Sequence, residues 1–408
     1  MRTRHSCSVL VGTLAVASLT LVAGVSNATT HDTRSTAQRI TVPDHATLTI
    51  HGRGYGHGHG MSQWGAQGAA LKGKSARQIV EFYYPHTKAG KVGGQVRVLI
   101  SADTDDDTTV VNRSGLQVHD LGDGSTQTLP TTGAAGHATQ WRMAAGSSGK
   151  TQVSYRNDGW HLWKKLAGDG EFRAAKPITL VVGSGKVVYR GSLQSRTPVG
   201  GPASHRVTVN KVSLEAYVQG VIPREAFPSW KPAALQAQAI AARSYAAFEE
   251  ADSSNPVYQL CDTTSCQVYG GKSAEVASTN QAAAATKGQV RTYQGKPAFT
   301  QFSASNGGWL AKGTQPYLVA KQDPYDGTKD NPNHTWTTTR SAGAVEKAFP
   351  AIGNLTKITV LKRDGHGQWN GRIVSMKLVG SKGSTTISGD TFRGSLGLMS
   401  TWISISVA

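Results

Sequence analysis

Residues 217–248 read YVQGVIPREAFPSWKPAALQAQAIAARSYAAF, and they end in a long, almost uncharged run of alanine-rich sequence. Glu225 is the only carboxylate between Ala216 and Phe248. Its apolar neighbours in the sequence are Val221, Ile222, Phe227 and Trp230. We expect such surroundings to desolvate Glu225, which favours the protonated carboxyl group and suits it to act as a general acid. The alternative is structural, because a Glu just ahead of a helix also complements the helix dipole.

The alanine-rich part of this segment predicts a long, buried helix. Ser229 is a good N-cap, Pro232 is tolerated in the first turn, and the pattern extends to about Glu250. Small side chains share one face, so another element can pack closely against it. Arg243 lies on this helix and needs a partner, which is either a carboxylate in a site or a structural ion pair.

The region before this segment is typical of strands. Short alternating runs separated by Gly, Ser and Asp between residues 95 and 214 predict a β-rich lobe. A second alanine-rich helix is predicted over residues 273–287, and residues 289–304 predict a hairpin. We therefore expect an α+β fold, with a β-rich lobe and a lobe that contains the buried helix and β-hairpins.

The predicted hairpin leads into a turn whose residues can contact a ligand. Ser303, Ser305 and Asn306 precede the pair Gly307-Gly308. Hydroxyl and amide groups at this place can hold sugar hydroxyls or N-acetyl groups. Ordinary turn chemistry favours the same residue types, so a structural role is the alternative.

A glycine-rich segment lies near the start of the chain. Glycine occupies every second position from Gly52 to Gly60, so the backbone can take positive φ or approach another group closely. His57 and His59 alternate and would share one face of an extended chain, which indicates a metal or substrate contact, with a structural role in a glycine turn as the alternative. Helical spacing over residues 63–84, interrupted at Gly73, predicts two short helices.

Several separate blocks of the sequence resemble the SpoIID/LytB family, which comprises stage II sporulation protein D and its relatives. The blocks are residues 189–191, 207–214, 234–245 (ALQAQAIAARSY), 302–309 (FSASNGGW), 392–402 (FRGSLGLMSTW) and 52–87, which contains the family's GHGxGMSQ pattern. The resemblance implies that Glu225 is the catalytic acid. It also implies that His57 and Gln63 occupy family positions, whereas His59 fills the variable one.

The resemblance further implies a set of substrate contacts. Arg243 and Tyr245 belong to the helix motif, and the Ser-Asn-Gly-Gly turn belongs to block 302–309. The residues expected to contact substrate are therefore His57, Gln63, Arg243, Tyr245, Ser303, Ser305, Asn306, Gly307 and Gly308.

The order of the blocks departs from the family. The GHGxGMSQ block usually follows the Leu-Gly-Leu-x-Ser-Thr motif, whereas here it precedes the rest of the mature chain. We interpret this as a circular permutation, which is tolerated when the original termini lie close together at the surface. We expect residues 52–87 to dock beside the segment that ends at Trp402. The expected division is 1–28 signal peptide, 29–46 flexible lead, 47–90 permuted segment, 91–214 β-rich part and 215–408 catalytic and C-terminal part.

The N-terminus has the features of a secretory signal. Arg2 and Arg4 precede an uncharged apolar run over residues 9–25, and small residues follow up to Ala28. An uncleaved membrane anchor is the alternative, because the run is near the lower length limit for crossing a bilayer. We expect an exported protein that is secreted or held in the cell wall.

Cys261 and Cys266 are the only cysteines after the predicted signal peptide. An exported protein favours a disulfide between them. The resemblance implies a zinc alternative, because some family members bind zinc with cysteines and a histidine from this loop. Here the histidine would have to be His57, His59 or His334. No other cofactor is expected.

The chain is strongly basic. Its 408 residues carry a formal charge of +18, and removal of Arg2 and Arg4 leaves 18 − 2 = +16 for the mature chain. Such a surface attracts polyanions. The basic residues are dispersed and no nucleic-acid motif is present, so we expect no nucleic acid as partner. Anionic wall polymers and the lactyl carboxylates of peptidoglycan fit an exported protein better, and general solubility is the alternative.

The number of carboxylates bears on the reaction. Ordinary glycosidases use two, whereas the segment around Glu225 supplies one, which is all that a lytic transglycosylase needs. By resemblance, Glu225 would cleave the bond between N-acetylmuramic acid and N-acetylglucosamine in glycan strands stripped of stem peptides. The alternative is a non-catalytic wall protein, either an enhancer of a cell-wall amidase, as LytB-type relatives are described, or a glycan-binding module.

Overall fold

The computed structural model describes residues 38–147, 149–183 and 185–407. The predicted signal peptide and residues 29–37 of the predicted lead lie outside the described residues. Within those ranges no helix is long and apolar enough to cross a membrane. The helices of the described residues are α1 (Gln63–Leu71), α2 (Ala76–Tyr83), α3 (Gly133–Gly136), α4 (Leu214–Glu225), α5 (Pro232–Asp252), α6 (Ala277–Ala285), α7 (Ala342–Ala348) and α8 (Gly389–Ser395).

Strands occur along the whole described chain. Up to residue 213 they are β1 (Gln38–Thr41), β2 (Thr47–Arg53), β3 (Met61–Ser62), β4 (Lys88–Lys91), β5 (Gln95–Leu99), β6 (Asp107–Val111), β7 (Gln117–Asp120), β8 (Thr126–Thr128), β9 (Gln140–Ala145), β10 (Thr151–Arg156), β11 (Trp160–Lys165), β12 (Gly170–Arg173), β13 (Ile178–Val182), β14 (Gly185–Tyr189), β15 (Ser192–Arg196) and β16 (Val207–Ser213). After α5 they are β17 (Leu260–Cys261), β18 (Gln289–Tyr293), β19 (Lys296–Pro297), β20 (Phe302–Ser303), β21 (Trp309–Leu310), β22 (Lys321–Gln322), β23 (Thr335–Ser341), β24 (Leu355–Arg363), β25 (Ile373–Gly380), β26 (Gly383–Ser388) and β27 (Ile403–Val407).

The β-rich part forms two sheets over one apolar core, which confirms the expected α+β fold. One sheet has the order β17-β5-β16-β15-β12-β7-β8 and the other β11-β10-β9-β6-β13-β14. Their alternating inward side chains, such as Trp141 and Phe172, are fully buried. The same core includes Tyr217 of α4 and Ala239 of α5, so the sheets and the helices share one hydrophobic cluster.

Helix α5 packs against more than one group of elements. It contacts α1, α2, α4, α6 and β18. Five of its alanines (Ala237, Ala239, Ala241, Ala242 and Ala246) are fully buried, and their small side chains let these neighbours approach closely. The helix begins at Pro232 with Lys231 as N-cap, so the predicted cap at Ser229 is wrong. The reason is a turn just before the helix, in which the N–H of Trp230 donates to the carbonyl of Phe227.

The first strands of the described chain pair with the last ones. β2 lies between β23 and β27 in an antiparallel sheet, and the N–H of Arg53 donates to the carbonyl of Trp402 (2.9 Å). The N–H of Gly56 also donates to the carbonyl of Met399 (2.9 Å), so residues 52–56 of the expected range 52–87 lie beside the segment that ends at Trp402. β1 pairs with β24 in a four-stranded sheet, so the expected flexible lead is wrong for residues 38–41.

The glycine-rich segment continues into two helices that are separated at Gly73, as predicted. Ile79 and Tyr83 of α2 are buried against α5, in a third apolar cluster. Leu71 is half exposed, because α1 ends at this residue and the chain turns away.

Candidate functional site

Glu225 is the last residue of α4 and precedes α5 by a loop. The C-terminus of a helix carries a partial negative charge, which opposes an ionised carboxylate. The alternative of favourable helix-dipole complementation is therefore wrong. The position instead adds to the cost of ionising this group.

Two hydrogen bonds hold the Glu225 carboxyl group. The backbone N–H of Val268 donates to Oε1 (2.7 Å), and the side-chain amide of Gln63 donates to Oε2 (3.2 Å). Burial raises the pKa of Glu225, and these two hydrogen bonds, together with nearby Arg224, offset only part of that rise. Glu225 thus keeps its proton to a higher pH than an ordinary glutamic acid.

Glu225 faces a cavity of about 420 Å³ that six separate parts of the chain build. Glu225 is the only carboxylate among the described residues that line it. The others are Tyr55, Gly56, His57, Gln63, Tyr245, Thr264, Ser265, Cys266, Gln301, Phe302, Ser303, Ala304 and Arg393. The wall therefore exposes polar and apolar atoms in similar measure, unlike the apolar surroundings predicted from the sequence.

The expected apolar neighbours of Glu225 lie elsewhere. Val221 and Ile222 are buried in the main core. Phe227 and Trp230 pack against Trp64 instead, with ring centroids 5.8 and 5.0 Å from it, and Phe227 is 57% exposed. The desolvation of Glu225 thus comes from the shape of the cavity, which only the tertiary fold creates.

His57 contributes a neutral imidazole to the cavity. Burial, followed by nearby His59, Arg372 and Arg393, lowers the pKa of His57 to about 3. Its Nδ1 accepts the backbone N–H of His59 (2.9 Å), so the neutral ring carries its proton on Nε2. His59 does not line the cavity with Glu225; its Nδ1 lies 3.4 Å from Oε1 of Gln301.

A short parallel pairing brings the glycine-rich segment to the second wall of the cavity. β3 pairs with β20, which sets Ser62 opposite Ser303. Gly56 adopts φ +105°, and a Cβ on it would lie 2.6 Å from the Cβ of Ser303, so the close approach requires glycine here. The Ser303 hydroxyl is buried and has no hydrogen-bond partner within the described residues, which leaves it available to a ligand.

The remaining residues of the predicted sugar-binding turn have a structural role. Ser305 and Asn306 are fully buried, the Ser305 hydroxyl donates to Asp326 (2.9 Å), and the Asn306 amide donates to Asp323 (2.7 Å). Gly307 and Gly308 take positive φ, and Gly308 donates to the Asn306 side chain. This arrangement disagrees with the predicted substrate contacts of Ser305 and Asn306, because buried aspartates already bind their side chains, and Gly307 and Gly308 do not line the cavity with Glu225.

Sequence reasoning missed these two aspartates. Burial, with a contribution from Asp326, raises the pKa of Asp323 to about 6. Its partner Tyr83 donates to it from α2 (2.8 Å), and His334 pairs with Asp326 (2.7 Å). The only signal was the spacing of two acids in the stretch Asp323-Pro-Tyr-Asp326, and their partners lie far away in the sequence.

Arg243 is placed away from the cavity, and the predicted substrate contact is wrong. Its guanidinium is fully buried and bonds both carboxylate oxygens of Glu215 (3.0 and 2.9 Å). It also donates to the carbonyls of Ala239, Ala283 and Gln289. Every side of the group is thus occupied by protein, and the structural alternative for Arg243 is confirmed.

Tyr245 lies two residues further along α5 and does line the cavity. Its ring stacks on Phe299, with centroids 5.2 Å apart. Arg243 and Tyr245 are thus only two residues apart on α5, yet one is structural and the other lines the cavity. The shared sequence motif did not distinguish these roles.

A disulfide joins Cys261 and Cys266, whose Cα atoms are 5.5 Å apart. The loop that it closes supplies Thr264, Ser265 and Cys266 to the cavity, and Val268 follows immediately. Disulfide sulfurs are not thiolate ligands, and no group of three His, Cys, Asp or Glu within the described ranges is arranged around a metal position. As arranged, these residues do not fit a zinc site.

Reduction of this disulfide is expected to destabilise the fold. Loss of a disulfide that closes so short a loop typically lowers the free energy of unfolding by about 2 kcal/mol. Thermal melts with and without a phosphine reductant measure the change, and the double variant Cys261→Ser/Cys266→Ser is the control that should not respond. A melting temperature that falls with a metal chelator, and not with the reductant, would contradict the disulfide and favour zinc.

Comparison with known proteins matches part of this chain to described sequences. Residues 203–293 match the family model SpoIID, described as stage II sporulation protein. An uncharacterized protein of Brachyspira hyodysenteriae is 38% identical over 115 residues, which cover 28% of this chain and 31% of that protein. A Bacillus subtilis protein named amidase enhancer is 40% identical over 130 residues, which cover 30% of this chain and 17% of that protein. Bacillus subtilis stage II sporulation protein D is 27% identical over 221 residues, which cover 47% of this chain and 60% of that protein.

The chain spans less than two thirds of the length of each of these relatives. The matched family segment contains Glu225, Tyr245 and the cysteine loop. His57, Ser303 and Arg393 lie outside that segment, and the fold brings them to the same cavity.

Proposed function

We propose that this chain, which carries a SpoIID/LytB family domain, remodels the bacterial cell wall as a peptidoglycan lytic transglycosylase. The observation that carries the proposal is the single carboxylate, Glu225, in a cavity that raises its pKa. A carboxyl group whose pKa is raised and that faces a ligand-sized cavity is equipped to donate a proton to a leaving group.

The reaction needs one carboxyl group in two successive roles. Protonated Glu225 donates its proton to the glycosidic oxygen between N-acetylmuramic acid and N-acetylglucosamine, and the bond from that oxygen to C1 of the muramyl residue breaks. The resulting Glu225 carboxylate accepts the proton of the muramyl C6 hydroxyl, and the oxygen on C6 forms the new bond to C1. The products are a 1,6-anhydromuramyl end and a new N-acetylglucosamine end, and no water is consumed. A hydrolase would need a second carboxylate, which the described cavity lining does not contain.

The surrounding donors fit both roles. The Val268 N–H and the Gln63 amide stabilise the carboxylate that exists after proton donation. The Ser303 hydroxyl offers a hydrogen bond to a sugar hydroxyl or an N-acetyl group. Neutral His57 adds no positive charge that would favour early ionisation of Glu225.

Product analysis tests this proposal. Purified peptide-free glycan strands are incubated with protein that lacks residues 1–28, and the products are identified by mass spectrometry. Anhydromuramyl ends are expected. Reducing muramyl ends would mean hydrolysis and would overturn the transglycosylase mechanism.

A second candidate is the stimulation of a cell-wall amidase. The similarity to a protein named amidase enhancer favours it. An enhancer that only binds glycan would not need the proton of Glu225, so a Glu225→Gln protein should still stimulate its amidase. Retained stimulation without strand cleavage by the unaltered protein would select this role.

The place of action is part of the proposal. Export by a cleaved signal peptide over residues 1–28 would deliver the chain to the wall, and the mature charge of +16 suits contact with anionic wall polymers. The expected partners are peptidoglycan glycan strands, with an amidase under the second candidate.

The raised pKa of Glu225 predicts how the reaction depends on pH. Donation requires the protonated acid, so kcat/KM should fall as pH rises through the pKa of Glu225. The Gln63 hydrogen bond lowers that pKa, and Gln63→Leu removes it, so the fall should move to higher pH in this variant. Cleavage rates across a pH series measure the shift.

Gln152→Leu provides a control, because Gln152 lies on β10 and does not line the cavity. Its pH profile should match that of the unaltered protein. A Gln63→Leu profile that is unchanged, or that moves to lower pH, would contradict the assignment of Glu225 as the titrating acid.

A further inference from the structure

Arg393 is a positively charged side chain in the same cavity as Glu225. It lies on α8, and its nearest ion-pair partner within the described residues is Asp390, with 3.9 Å between Nη1 and Oδ1. The Asp390 side chain is 79% exposed, and such a solvated pair neutralises little charge. The guanidinium of Arg393 is thus free to take an anion.

The cavity itself offers Arg393 no counter-ion. The only carboxylate among the described lining residues is that of Glu225, whose oxygens already accept hydrogen bonds from the Val268 N–H and the Gln63 amide. A second guanidinium, that of Arg372, lies close enough to act on His57, yet its Nη2 already donates to the carbonyl of Asn306. No ion pair joins Arg393 to another described residue of the cavity lining, so a ligand that carries a negative charge can pair with it.

The substrate of the proposed function carries such a charge. Each muramyl residue bears a lactyl group, whose carboxylate is free in a peptide-stripped strand and is converted to an amide where a stem peptide is attached. A guanidinium fork matches a carboxylate with two parallel hydrogen bonds, and it has no comparable match for an amide.

We propose that Arg393 binds the lactyl carboxylate of the muramyl residue held at Glu225, and that it thereby selects strands without stem peptides. This inference rests on the proposed function for the identity of the substrate. It assigns the selection to one residue that lies outside the matched family segment. Arg393 is a binding residue in this scheme, whereas Glu225 carries the chemistry.

The test measures binding separately from cleavage. Mature protein with Glu225→Gln is titrated by calorimetry with peptide-free glycan oligosaccharides, and with the same oligosaccharides after their lactyl carboxylates have been converted to methylamides. Arg393→Met removes the charge, Arg393→Lys keeps the charge without the fork, and Arg77→Met is a control that removes an exposed charge on α2. Melting temperatures verify that each variant is folded.

Arg393→Met is expected to weaken binding of the acidic oligosaccharides about 10-fold or more, since hydrogen bonds to a charged group are individually strong. Arg393→Lys should lie between Arg393→Met and the parent. The methylamides should bind the parent and Arg393→Met equally weakly. Arg77→Met should bind like the parent.

Three results would overturn the inference. Equal loss on both ligands after Arg393→Met would mean that Arg393 contacts another group. Tight, Arg393-dependent binding of strands that still carry stem peptides would identify a peptide carboxylate as the anion. Binding that does not respond to substitution of Arg393 would remove the residue from the site and leave the proposed function standing. A failure of the parent to bind any strand would count against the inference and the proposed function together.

Discussion

Glu225→Gln is expected to lower the rate of strand cleavage by about 10²- to 10⁴-fold, the typical loss when one general acid is removed. The amide cannot donate an acidic proton to the glycosidic oxygen and cannot accept the proton of the C6 hydroxyl. The fold should remain, because the oxygen of the new amide can still accept the Val268 N–H. The NH₂ group of the new amide can donate to Gln63 once the Gln63 side-chain amide has rotated its oxygen toward it.

Release of anhydromuramyl ends from peptide-free strands measures this loss, with circular dichroism and melting temperature as measures of folding. Gln152→Leu again serves as the control for a substitution outside the cavity. A Glu225→Gln protein that cleaves at the unaltered rate would remove Glu225 from the mechanism. If Glu225→Gln fails to fold, Glu225→Asp replaces it. The shorter side chain of Asp keeps the carboxyl group but moves it away from the Val268 N–H, so this variant should fold and cleave slowly.

Arg243→Met should lower the free energy of unfolding by about 3–5 kcal/mol, the usual cost of removing one partner of a buried ion pair. Glu215 would lose both of its guanidinium hydrogen bonds, and the carbonyls of Ala239, Ala283 and Gln289 would lose a donor. Urea denaturation measures the change. Because Arg243 lies away from the cavity, the cleavage rate per folded molecule should persist well below the melting temperature.

The matched control is Arg77→Met. Arg77 is paired with Glu81 on the exposed face of α2, where an ion pair contributes at most about 0.5 kcal/mol. Similar destabilisation by both substitutions would contradict the structural role of Arg243. A stable Arg243→Met protein that no longer binds glycan would return Arg243 to the site.

The sequence predicted the parts of this site that depend on local pattern. The alternating runs before residue 214 and the alanine-rich run after Pro232 carry their own periodicity, so the sheets and α5 could be predicted. Glu225 stood out because the surrounding segment holds no other acid. Its raised pKa was expected for the wrong reason, since Phe227 and Trp230 cover Trp64 and not the carboxyl group.

The rest of the site depends on contacts between segments that are distant in the chain. No local signal shows that Ser303 has a free hydroxyl while Ser305 is taken by Asp326, because both residues have the same turn chemistry. Arg243 and Tyr245 share one motif, yet only one faces the cavity. Arg393 could be identified only after the fold set α8 beside His57.

The pairing of β2 between β23 and β27 has a consequence for the order of assembly during synthesis. The residues that give His57 and Gln63 to the cavity emerge early from the ribosome, whereas β27 is among the last segments to be made. Long-range pairing of this kind forms late in folding, because the chain entropy of closing the loop must first be overcome. A growing or truncated chain thus has Glu225 without its completed cavity, and the cavity is complete only after β27 has been made.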